Sequence, residues 1–89
     1  MNYAVIQRPV KEIVSREMIA PHIEYIKKQV DAGKIILSGP FTDEKRGGMY
    51  ILDVEDENEM REIADNDPAI ISGLMQNEVR KYSISFRQG

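Results

Sequence analysis

Two segments, Asn2 to Gln7 and Met49 to Val54, carry apolar side chains at consecutive positions and therefore require cover on both faces. In the first, Tyr3 and Val5 alternate with Ala4 and Ile6, the pattern of a strand near the centre of a sheet. Arg8-Pro9 closes it. In 89 residues without a cysteine, such strands can be buried only by helices or by a second copy of the sheet.

The remaining elements are read around these two strands. A less regular stretch from Lys11 to Ala20 holds one helical turn around Ile13 to Glu17. Pro21 opens the first firm helix, because its fixed φ suits a first turn. Ile19, Ile23, Ile26 and Val30 recur at helical spacing, with Glu24 and Lys28 outward as an i,i+4 pair, and Gly33 ends the helix. Ile35 to Leu37 is a short buried strand stopped by Ser38-Gly39-Pro40. A polar loop, Thr42 to Gly48, leads into the Met49 strand. Asp56 and Glu59 sit as in a capping box ahead of Met60, Ile63 and Ala64, the second helix. Asp67-Pro68 starts a turn or short helix reaching Gly73, and Val79 to Phe86 alternates as a last strand.

The order βαββαβ predicts an α+β, ferredoxin-like plait over residues 1–89 as one domain, with an antiparallel four-stranded sheet and both helices on one face. Ala4, Ile6, Met49 and Ile51, or their alternates, then form an apolar patch on the uncovered face. A homodimer packed through that sheet face is the expected remedy.

With 42% hydrophobic and 30% charged residues the composition is that of an ordinary globular protein, and the net charge of -3 argues against nucleic acid or anionic lipid as partners. Arg46-Gly47-Gly48-Met49 lies on the third strand, where RNA-recognition domains carry a basic, glycine and aromatic motif. Gly48 and Met49 break that motif. No apolar stretch reaches membrane-spanning length and no signal peptide precedes the first strand, so a cytoplasmic location is expected. With one histidine and no cysteine, no metal is expected, and the carboxylates Asp53 to Glu59 lack calcium-loop spacing.

His22, the only histidine, follows Ile19 by three residues and precedes Ile26 by four, so it projects from the apolar face of its helix. In a first turn after Pro21, the helix dipole favours its neutral form, which is suited to general base work near pH 7. It can equally be a core histidine bonded to a carbonyl. Asp67 before Pro68 reads as an N-cap, and a capping carboxylate has lone pairs left to orient an imidazole. Gly39, between Ser38 and Pro40, either ends a strand or admits a ligand close to the backbone.

These features together resemble the YCII-related family: inward His22, Gly33, a strand ending in Ser38-Gly39-Pro40, Gly47-Gly48 entering the third strand, and Asp67-Pro68 after the second helix. The resemblance implies a dimeric α/β barrel of ferredoxin-like units, and a His22–Asp67 dyad in a pocket formed partly by Ser38, Gly39 and Pro40. It also implies small-molecule chemistry without a cofactor, since the few members with an assigned activity are dehydrochlorinases or dehalogenases. On that reading the ligand is a small anionic or carbonyl-bearing molecule, with Arg8 or Arg16 available to hold a carboxylate. The alternative is a non-catalytic ligand-binding or protein-interaction module of the same fold.

Overall fold

A computed structural model describes residues 1–88 of the chain. Its elements run β1 (Asn2–Pro9), α1 (Arg16–Asp31), β2 (Ile35–Pro40), β3 (Gly48–Asp53), α2 (Glu57–Asp65), α3 (Pro68–Ile71) and β4 (Met75–Tyr82). The strands form one sheet in the order β2-β3-β1-β4, with every neighbouring pair antiparallel. The two segments that needed cover on both faces thus occupy the centre. This is the ferredoxin-like plait, with the one-turn helix α3 added before the last strand.

Alternation along β1 decides what faces the helices. Tyr3, Val5 and Gln7 point under them, while Ala4, Ile6 and Arg8 take the other side. Tyr3 lies opposite Leu52, and Val5 opposite Tyr50. These four residues are almost wholly buried, beneath Ile26 of α1 and Met60, Ile63 and Ala64 of α2. Each large apolar side chain so buried stabilises the fold by roughly 1.5–3 kcal/mol. Asp56 caps α2, its side chain accepting from the Glu59 N–H at 2.9 Å, as the sequence indicates.

The first helix starts earlier than its proline suggests. Ser15 is the N-cap, its Oγ accepting from Met18 N at 3.2 Å, and Arg16 begins α1. Pro21 lies inside the helix, where its ring removes the bond to the Glu17 carbonyl. A serine cap followed by good helix formers carries the helix through this defect. His22 is therefore in the second turn, and the dipole argument for its neutral form does not apply. Ile13 is outside any helix and 84% exposed.

Two strand boundaries also move. Ser38-Gly39-Pro40 does not stop β2 but belongs to it, with Gly39 opposite Met49 and Pro40 opposite Gly48. A Cβ on Gly48 would stand 2.7 Å from the Gly39 carbonyl oxygen, so glycine permits this close pairing. β4 lies four residues ahead of the expected Val79–Phe86, because that register pairs every residue of β1, from Asn2 with Tyr82 to Pro9 with Met75. Full pairing of a central strand outweighs the alternation of Tyr82, Ile84 and Phe86, and Phe86 is left 96% exposed.

The sheet face away from the helices carries Ala4, Ile6, Met49 and Ile51, as expected, but it is less bare than the pattern implies. Ala4 and Ile51 are buried within the chain itself. The segment after β4 contributes, since Ile84 and Phe86 border a groove there with Leu37, Ile51 and Tyr82. Leu37 and Tyr82 remain about half exposed.

The hydroxyls of Tyr3 and Tyr50 are buried without a hydrogen-bond partner among the described residues. Removing an unsatisfied buried hydroxyl relieves its desolvation, so Tyr50→Phe is expected to raise stability by about 1 kcal/mol in urea denaturation. A loss of stability would instead mean that the hydroxyl is bonded in solution.

Candidate functional site

The site begins with Asp67, a carboxylate with no solvent exposure. It caps α3, with Oδ1 accepting from the Ala69 N–H at 2.9 Å, which is the local role expected of Asp before Pro. The same carboxylate reaches α1, where His22 Nδ1 lies 2.8 Å from Oδ1 and 2.9 Å from Oδ2. From β1, Gln7 Nε2 donates to Oδ2 at 2.9 Å. Burial pushes the Asp67 carboxyl up. Hydrogen bonds from His22, Gln7 and the Ala69 N–H, and the charge of His22, outweigh that and hold it below the usual carboxylate range. An ionised carboxylate only accepts, so Nδ1 of His22 carries the proton that lies between them, and in the neutral ring Nε2 holds the lone pair.

Tyr50 feels the same charge. Burial raises its phenol first, and Asp67, Tyr25 and Asp65 raise it further, so it stays protonated. Tyr25 is raised by the same causes, burial and then Asp67, and its hydroxyl donates to the Ile63 carbonyl at 2.7 Å.

His22 is 13% exposed, and that exposure opens on a cavity of about 360 Å³. Ser38, Gly39 and Pro40 form one wall from β2, with Gly47 and Gly48 beside them. Gly47 has φ +79°, and any Cβ there would collide with the Gln7 carbonyl oxygen, so this loop lies directly on β1. The opposite wall comes from α1. Ile19 and Ile23, which by spacing belong to a core face, border the cavity instead, and Ile23 is 58% exposed. Only Ile26 of that face is buried.

Arg8 and Arg16 do not line this cavity. Arg8 sits on the open sheet face, paired with Glu78 at 2.7 Å, and Arg16 is the first residue of α1. Among the described residues, no lysine, arginine, aspartate or glutamate borders the cavity. Among the described residues, no group of three or more histidine or acidic side chains is placed to hold a metal ion, and no helix is long and apolar enough to cross a membrane.

Gln7 and Asn77 were not anticipated from the sequence. Gln7 Nε2 also donates to Asn77 Oδ1 at 3.0 Å, and Asn77 Nδ2 donates to the Ala64 carbonyl at 3.3 Å. A bonded chain thus runs from the end of α2 through β4 and β1 to Asp67. The available signal was a polar residue at the third inward position of an otherwise apolar strand, after Tyr3 and Val5.

Comparison with known proteins adds three findings. A model of the YCII-related domain matches residues 1–83. The uncharacterised protein YjpA of Bacillus subtilis (strain 168) is 26% identical over 73 residues, spanning 82% of this chain and 85% of that protein. Among solved structures, the 5-chloro-2-hydroxyhydroquinone dehydrochlorinase TftG from Burkholderia phenoliruptrix AC1100, in complex with 2,5-dihydroxybenzoquinone, matches with a TM-score of 0.77. It is 22% identical, and the match covers 93% of this chain and 94% of that one. At that identity, what the two share is the fold.

Proposed function

The chain belongs to the YCII-related family, and from that premise and the buried His22–Asp67 pair we propose that it is a cofactor-independent enzyme performing acid/base chemistry on a small molecule, of the lyase, isomerase or dehalogenase type. The observation that carries this reading is a cavity-lining imidazole whose Nδ1 is held by a fully buried carboxylate. Nε2 of His22 takes a proton from the ligand. Asp67 fixes the ring and stabilises the imidazolium that forms. In an elimination, the electrons of the broken C–H bond form the new double bond as halide departs. In an isomerisation, the proton returns at another carbon. Ser38, Gly39 and Pro40 seat the ligand, and Arg8 and Arg16 have no part in this reading.

The test is a panel of cyclic diketones, lactones and chlorinated hydroquinones followed by proton NMR in D₂O. Deuterium uptake or chloride release above the buffer rate is expected for at least one class. If no compound reacts, or if those that do react equally well with His22→Ala, the mechanism fails. The chain of bonds from Ala64 through Asn77, Gln7 and Asp67 to His22 favours a second reading, a non-catalytic binding module in which the pair ties four elements together. That module would bind ligands from the panel without changing them.

The open sheet face, with half-exposed Leu37 and Tyr82 beside Ile6 and Met49, supports a homodimer formed through it. Equilibrium sedimentation at micromolar concentration is expected to report twice the chain mass. A clean monomer there rules the dimer out.

A further inference from the structure

The second polar group at the cavity wall is held as firmly as the first. Gln7 is 5% exposed, borders the cavity, and has both hydrogens of Nε2 committed, one to Asp67 and one to Asn77. Its amide cannot reverse. Asp67 only accepts, and Asn77 must present its oxygen to Gln7 because its own Nδ2 donates to the Ala64 carbonyl. A reversed Gln7 would aim its oxygen at a carboxylate and at the Asn77 oxygen, setting acceptor against acceptor at both contacts. Oε1 of Gln7 therefore has no protein partner among the described residues, on a side chain more than nine-tenths buried. Unlike the Tyr3 and Tyr50 hydroxyls it is not sealed off, so a donor in the cavity can reach it.

By the same logic His22 Nε2 presents a lone pair in the neutral ring. The other polar side chain on the wall is the Ser38 hydroxyl, which can donate or accept, and the rest is largely apolar, from Ile19, Ile23, Ile26 and Met75. We infer that Gln7 is a specificity-determining residue, whose Oε1 selects a compact neutral ligand offering a hydroxyl or N–H donor beside the proton that His22 accepts. With the ring neutral, a carboxylate would meet two lone pairs and no cation, so that form of the site discriminates against it. The inference rests on the reading in which His22 faces the ligand. A ring the size of benzene fills a cavity of roughly 150 Å³, so about 360 Å³ holds one ring with its substituents.

Three probes of similar size separate the possibilities: catechol with two adjacent donors, guaiacol with one donor replaced by a methyl ether, and benzoate. Each is titrated into nitrogen-15-labelled protein while the His22 ring and Gln7 amide signals are followed. Catechol is expected to bind about tenfold more tightly than guaiacol, the effect of leaving one buried acceptor unmatched, with benzoate weakest. In Gln7→Met, close in shape but without the acceptor, catechol should fall to the level of guaiacol. If that variant does not fold, the order of the three probes on the unaltered protein decides alone. Equal binding of catechol and guaiacol, benzoate binding ahead of both, or a preference that survives in folded Gln7→Met each overturns the role of Gln7 and leaves the His22 reading standing. Failure of all three to bind overturns both.

Discussion

In Asp67→Ala, folding stability is expected to fall by about 3–5 kcal/mol, the range for removing one partner of a buried charged pair. His22 Nδ1, Gln7 Nε2 and the Ala69 N–H all lose their acceptor at once, and α3 loses its cap. For a domain of this length total stability is roughly 4–13 kcal/mol, so the variant should be marginal in urea denaturation. Asp67→Asn keeps the shape and one acceptor oxygen and should lose roughly 1–3 kcal/mol. A loss below about 1 kcal/mol in the alanine variant would show that the carboxylate is not bonded as described.

The same residue sets an acid limit. Its carboxyl is held below the ordinary value of 3.8, so the ionised form is the one that folding favours. This contribution is complete above the unfolded value and is lost as pH falls through the lower, folded one. Stability of the unaltered protein should therefore drop steeply below 3.8, and the drop should be shallower in Asp67→Asn.

The second large effect concerns turnover. With a reactive member of the panel in hand, His22→Ala is expected to slow the reaction about 10²- to 10⁴-fold, the usual contribution of a general base. Stability should suffer less than in Asp67→Ala, because the carboxylate keeps its bonds from Gln7 and Ala69. Added imidazole should restore part of the rate, since the truncated side chain opens its space to the cavity. A folded variant that retains full activity would falsify the base role, and a loss of rate that imidazole cannot rescue favours a structural histidine.

What was legible in the sequence came from local chemistry or from consecutive apolar positions. The central strands, the Asp56 cap and the apolar turn of Met60, Ile63 and Ala64 each carry their signal within a few residues. The meeting of His22 and Asp67, 45 residues apart, was approachable because one was inward on a helix and the other looked like a cap with spare lone pairs. The misreadings have two causes, a rival local signal in the first helix and sheet pairing that overruled local alternation in the last strand. Pro21 looked like a helix start, yet Ser15 had already begun one. Tyr82, Ile84 and Phe86 alternated convincingly, but β1 had eight positions to pair and Met75–Tyr82 fills them all. Gln7 and Asn77 escaped notice because they face each other across β1 and β4, and that register exists only once the sheet is built.

The strand order β2-β3-β1-β4 has a kinetic consequence. Of the four strands, the one synthesised first is a central one, and neither of its neighbours is local in the chain. The hairpin of β2 and β3 can close early, but β1 must wait for Met75–Tyr82 before its second edge is satisfied. At about 5–20 residues per second, the delay between synthesis of Pro9 and of Met75 is roughly 3–13 seconds, with one hydrogen-bonding edge of β1 unpaired throughout. The bond from Gln7 to Asn77 cannot form until that final docking. A cavity-filling ligand would therefore recognise only finished molecules, and by mass action it would hold them in the folded state.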